Sequence, residues 1–123
     1  MSRHDADRLD DITAAVEAIR SHVERGPLSD SLVSDAVRIR LLEIGEAVKS
    51  LPENLTSTEP DIPWRQIARM RDHLAHRYFM TELDILQSTI EKDLGPLRDA
   101  VDRMRARSVS GSGEDSTQSD SAD

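Results

Sequence analysis

The chain contains no cysteine, which removes disulfide frameworks and thiolate metal sites from consideration. It has no apolar run near the roughly 18 residues that a membrane span requires. Its opening residues, MSRHDADRLDD, lack the apolar segment of a secretory signal. Strand signals, internal repeats and glycine-rich phosphate loops are likewise missing, and no cluster of carboxylates suggests a pair of magnesium ions. Aromatic residues are scarce, with one Trp, one Tyr and one Phe. The lone Trp64, beside Ile62 and Ile67, reads as a packing residue rather than a platform for stacked bases. The expectation is a soluble, cytoplasmic protein with no membrane role and no cofactor.

The formal net charge of −8 argues against sequence-blind coating of nucleic acid over the whole surface, so any nucleic-acid role must be local. The charge is uneven. Residues 108–123, SVSGSGEDSTQSDSAD, carry four acids, no Lys or Arg and little to bury, the composition of a disordered tail. Residues 1–107 then form one domain, long enough for a core. Within residues 65–77 the sign reverses, with Arg65, Arg69, Arg71 and Arg77 against Asp72 alone. A solvated helix face can carry such a run with no further purpose.

Apolar spacing predicts an all-α fold. Leu9, Ile12, Val16, Ile19 and Val23 form one stripe on a helix over about residues 7–24, ended by Gly26-Pro27. Val33, Val37, Leu41, Ile44, Val48 and Leu51 mark a second, capped by Ser29 or Asp30 and stopped by Pro52. The segment ENLTSTEPDIP has turn chemistry throughout. A third helix follows over residues 64–78, with Asp61 as cap and Pro63 at its start. Thr81 and Asp84 have capping-box spacing and open a fourth helix carrying Leu83, Leu86, Ile90, Leu94, Leu97, Val101 and Met104. Gly95-Pro96 predicts a kink or short break there. Four amphipathic helices on short loops make an antiparallel four-helix bundle.

Chemistry concentrates in the third helix, where RMRDHLAHRYF spans residues 69–79. At about 100° per residue, Arg71 and Tyr78 lie nearly eclipsed, and Asp72 and His76 form a second aligned pair joined by Arg69 and, to one side, His73. Arg71 and His76 stand about 140° apart on a straight helix. One straight helix therefore cannot aim both at a single phosphate, and a second copy could supply one of the groups. The pair His73 and His76 has metal-ligand spacing but lacks a third partner apart from Asp72. His4 and His22 have no companions and read as exposed and inert.

Arg71, His76 and Tyr78 spell R-x-x-x-x-H-x-Y. Together with IGEAVKSLP at 44–52, DIPWRQIARMRDHLAHRY at 61–78 and the later EKDLGPL, they make residues 5–104 resemble the HepT group of HEPN-domain ribonucleases, the toxins of HepT–MntA toxin–antitoxin systems. The resemblance implies a dimeric helical bundle that cleaves RNA without metal. It implies Arg71 and His76 as the catalytic pair. It also implies Tyr78 as the acceptor of AMP from an MntA-like nucleotidyltransferase antitoxin. From their own chemistry, Asp72 could orient the His76 imidazole or pair with Arg69 on the helix surface, Arg77 could contact RNA or be a surface charge, and His73 and Arg69 are further candidates for support or RNA binding. Many members have Asn where this chain has Asp72.

The residue types suit that chemistry. Without metal, RNA can be cut by its own 2′-hydroxyl if a base of near-neutral pKa and a fixed cation flank the phosphate. His76 is of the first kind and Arg71 of the second, its planar fork matching two phosphate oxygens. The alternative is a non-catalytic helical module whose basic stripe holds a nucleotide or a partner nucleotidyltransferase.

Overall fold

The computed structural model describes residues 1–75, 84 and 86–115, the backbone alone at 75 and 108–115. Helix α1 spans Arg3–Arg25, α2 Ser31–Lys49, α3 Glu53–Thr56, α4 Trp64–Ala75 and α5 Leu94–Asp115. A π-helical turn, Thr89–Asp93, leads directly into α5. No strand occurs among the described residues, and the chain is an all-α bundle. None of its described helices is long and apolar enough to cross a membrane.

The apolar stripes become the core. Leu9, Ile12, Val16 and Ile19 of α1 meet Val37, Leu41 and Ile44 of α2, Leu74 of α4, and Leu97, Val101 and Met104 of α5, each 1% exposed or less apart from Leu97 at 2%. Helix α2 is central, packing against both α1 and α4, while α5 lies along α1. Asp30 caps α2, its carboxylate accepting from the Leu32 N–H at 2.9 Å. Trp64 is half-buried against the core, and its Nε1–H donates to the Glu59 carbonyl oxygen at 2.9 Å.

Several boundaries depart from the apolar pattern. Helix α1 begins at Arg3, because the Ser2 hydroxyl accepts from the Asp5 N–H at 3.0 Å; a polar first turn leaves no stripe to read. The segment after Pro52 contains the short helix α3 rather than turns alone. At the start of α4 the Pro63 carbonyl accepts from the Ile67 N–H at 3.0 Å, so Pro63 stands at the cap and not Asp61. His22 is half-buried rather than exposed. Thr81 and Leu83 lie outside the described residues. Helical backbone runs through Asp115, past the compositional boundary at 107.

The interruption around Gly95-Pro96 is a wide turn rather than a break. Pro96 has no N–H for the carbonyl four residues back, and its ring would crowd that oxygen in a regular helix. The Leu94 N–H donates to the Thr89 carbonyl oxygen, five residues back. Such a turn holds one residue more than an α turn. The spacings from Leu86 to Ile90 to Leu94, four and four, would drift about 80° on a regular helix. The π turn absorbs that drift, so that Leu86 and Leu94 are both buried, at 1% and 3% exposure.

The loop before α4 is tied to the far end of the chain. Glu59 is 8% exposed, and its carboxylate accepts from Arg103 Nη2 at 2.7 Å and lies 2.9 Å from Arg107 Nη2. Hydrogen bonding from Arg103 and then Arg107 holds the Glu59 carboxyl below its ordinary value of 4.5. The folded carboxylate binds its proton less tightly than the unfolded one, so this stabilisation is full above pH 4.5 and fades as pH falls through the lower folded value. Asp10, lowered by Arg105, titrates with the same sign in every variant. Glu59→Gln should therefore lower Tm by several degrees at pH 7, and the gap from the parent should close below pH 4.5; parallel melting-temperature series against pH measure it.

Candidate active site

Helix α4 carries the positive run, and its core residues decide which way the rest can point. Ile67, Met70 and Leu74, spaced three and four apart, are 5%, 7% and 0% exposed. Arg71 follows Met70 by one position and emerges at the edge facing α2, its side chain 41% exposed. Its Nε lies 2.6 Å from Glu46 Oε1 on α2. Its Nη1 donates to Asp72 Oδ1 at 3.4 Å, a long bond.

Gly45 makes that approach of two helices possible. A Cβ at Gly45 would stand 3.0 Å from Arg71 Cβ, 3.4 Å from the Ile67 carbonyl oxygen and 3.5 Å from the Arg71 backbone nitrogen. The glycine thus sits against the helical turn that ends at Arg71. A glycine inside a helix costs about 1 kcal/mol relative to alanine, and close packing is the compensating gain here. The segment Ile44-Gly45-Glu46 divides its labour by residue. Ile44 is in the core at 1% exposure, Gly45 admits α4, and Glu46 meets the Arg71 side chain.

The other predicted site residues distribute as follows. Asp72 is exposed and accepts from Arg71 rather than from Arg69. Arg69 and His73 are exposed on the side of α4 about 160° from Arg71. There they line a recess of about 430 Å³ together with Met70, Thr89 and Asp93. Burial raises the Asp93 carboxyl above its ordinary value. Within this recess the Thr89 hydroxyl is 3.5 Å from Met70 Sδ. His73 belongs to no gathering of three or more potential metal ligands among the described residues. His76, Arg77 and Tyr78 lie outside the described residues.

Glu46 and Gly45 are site residues without an assigned role in the sequence reading. The available signal was a glycine in the middle of a strongly periodic helix, followed by an acid. Nothing local says which other helix the acid would reach.

Comparison with known proteins identifies the family. The family "Ribonuclease HepT-like" matches residues 9–104, a span containing Gly45, Glu46, Arg71, His76 and Tyr78. A protein of Thermococcus cleftensis named "Probable ribonuclease HepT" is 37% identical over 109 residues, covering 85% of this chain and 99% of the relative. A protein of Methanocaldococcus jannaschii, provisionally named an RNase, is 48% identical over 60 residues, 48% of this chain and 49% of that one. Another from Caldanaerobacter subterraneus, named in the same way, is 44% identical over 64 residues, 51% of this chain and 57% of that one. No solved structure matches. With the family matched across most of its length and one relative aligned nearly end to end, the chain belongs to the HepT-like ribonuclease family.

Proposed function

We propose that the chain is an endoribonuclease toxin that cuts RNA without metal, acts as a homodimer and is silenced by AMPylation of Tyr78 by a nucleotidyltransferase antitoxin. The observation that carries this reading is Arg71, a half-exposed cation packed beside Gly45 and paired at Nε with Glu46, in a chain of this family. A base takes the proton of the RNA 2′-hydroxyl, and that oxygen attacks the adjacent phosphorus. The bond to the 5′-oxygen breaks, that oxygen leaves with a proton, and a 2′,3′-cyclic phosphate remains. His76 is the acid/base and Arg71 the cation that takes up charge growing on the phosphate oxygens. Because the two stand about 140° apart on a straight helix, a dimer would bring Arg71 of one copy to His76 of the other.

On a regular helix Tyr78 would share the face of Arg71, so AMP on its hydroxyl would bring a phosphate to the cation as an imitation of its substrate. The decisive experiment is cleavage of RNA by the purified chain in EDTA. The expected result is fragments ending in 2′,3′-cyclic phosphate from a species of twice the 13.8 kDa chain mass in sedimentation. Activity lost in EDTA and restored by magnesium would exclude the metal-free route. In the same preparation, a nucleotidyltransferase with ATP and magnesium should add AMP at Tyr78 and stop cleavage, whereas Tyr78→Phe should stay active.

A further inference from the structure

The ion pair between Arg71 and Glu46 is too exposed to matter much for folding. Its side chains are 41% and 59% accessible, and pairs of this kind contribute about 0–1 kcal/mol. Its geometry is nevertheless specific. Glu46 meets Arg71 at Nε, the nitrogen nearest the helix, at 2.6 Å. An arginine tied at Nε keeps both terminal nitrogens for a ligand, and those two form the end-on fork that fits two phosphate oxygens. The competing carboxylate on that fork is Asp72, at 3.4 Å from Nη1, loose enough to be displaced by phosphate.

Among the described residues, the ion-pair partner of Glu46 is Arg71. The acid one turn earlier on α2, Glu43, is engaged by Arg40 Nη1 at 3.2 Å from both carboxylate oxygens. Gly45 adjoins the Arg71 Cβ. The base of the arginine is thus fixed by backbone packing and its Nε by a carboxylate, two consecutive residues of α2 acting on one side chain. A long flexible side chain otherwise loses rotamer freedom each time it binds, and a cation held in place beforehand contributes more to a transition state than one that must be gathered.

We propose that Glu46 is a positioning residue for RNA cleavage, holding Arg71 at Nε so that its terminal nitrogens face the scissile phosphate. The proposal rests on the nuclease reading above and names a residue which that reading does not use. It separates from a merely competing counter-ion by sign. If Glu46 only neutralised Arg71, its removal would tighten RNA binding and leave kcat unchanged or higher. If Glu46 orients Arg71, its removal lowers kcat while KM holds or falls, since a negative charge near the phosphate has gone.

The test is the steady-state kinetics of Glu46→Gln and Glu46→Asp on an RNA oligonucleotide, with melting temperatures, and the 15N signal of the Arg71 Nε–H in the unliganded protein. Glu46→Gln should lose about 10- to 100-fold in kcat, the scale of a catalytic group displaced by an ångström, with KM not raised and Tm unchanged. Glu46→Asp, keeping the charge at shorter reach, should recover part of kcat. The Nε–H signal, assigned by its loss in Arg71→Lys, should broaden in Glu46→Gln. An unchanged or raised kcat, a kcat loss tracking a lower Tm, or an unaltered Nε–H signal would each overturn the proposal. A parent chain that cuts no RNA overturns the nuclease reading instead, and the nitrogen signal still reports separately whether Glu46 holds Arg71.

Discussion

Arg71→Ala removes RNA cleavage, with an expected loss of about 10²- to 10⁴-fold, and leaves the helices intact. The fold is spared because Arg71 stands at the edge of α4, while Ile67, Met70 and Leu74 make the core contacts of that helix. Its ion pair with Glu46 is exposed and contributes little to stability. Catalysis is not spared, because no other cation on α4 occupies its position: Arg69 lies on the side about 160° away, by the recess with Asp93. Arg71→Lys should restore little, since an ammonium is a point charge and cannot span two phosphate oxygens at the same geometry. His76→Ala should match the loss for a different reason, the missing proton carrier. Single-turnover cleavage beside far-ultraviolet circular dichroism measures both halves of the expectation. Appreciable cleavage by either alanine variant would exclude the Arg71–His76 assignment.

Gly45→Val should damage stability and activity together. Even the first carbon of a side chain would stand 3.0 Å from Arg71 Cβ and 3.4 Å from the Ile67 carbonyl oxygen. Neither can swing aside, since one is the root of a side chain and the other is backbone. Helices α2 and α4 must therefore move apart, and overpacking of this sort costs about 1–3 kcal/mol. The Arg71 guanidinium would travel with α4, and a displacement near an ångström is enough for about a 10²-fold loss of rate. Denaturant melts and cleavage rates on the same preparation check the pairing. Gly45→Val with wild-type stability would show that α2 and α4 are not in contact at this turn. Gly45→Ala should fall between, its single carbon meeting the same two neighbours without the second branch.

Residues that act through periodicity were readable in the sequence, and residues that act through space were not. The stripes of α1 and α2 name their own buried members because a helix of 3.6 residues per turn places them on one side whatever it packs against. The Asp30 cap is local too, whereas type and spacing nominate Arg71, Asp72 and His73 on α4 without saying that Arg71 meets Glu46 and His73 a separate recess. The four-and-four spacing at Leu86, Ile90 and Leu94 held the signature of the wide turn, but without a fold it could equally be a stripe that drifts. Gly45 and Glu46 precede Arg71 by 26 and 25 positions, and only the packing of α2 on α4 makes them neighbours. The sequence could show that an acid followed a glycine. It could not show which arginine waited opposite.

Glu59 joins parts of the chain that are distant in sequence. Its backbone carbonyl holds Trp64, the first residue of α4, and its carboxylate holds Arg103 and Arg107 on α5. The start of the helix that bears Arg71 is therefore moored to the last helix through one acidic residue. A chain ended at Arg107 keeps both moorings, and one ended at Asp102 keeps neither. For anyone attaching a tag or fusion partner, the boundary of safe cutting is set by these two arginines rather than by where the core ends at Met104. A load applied to α5 upstream of that point would be transmitted to the base of α4, the helix that carries Arg71.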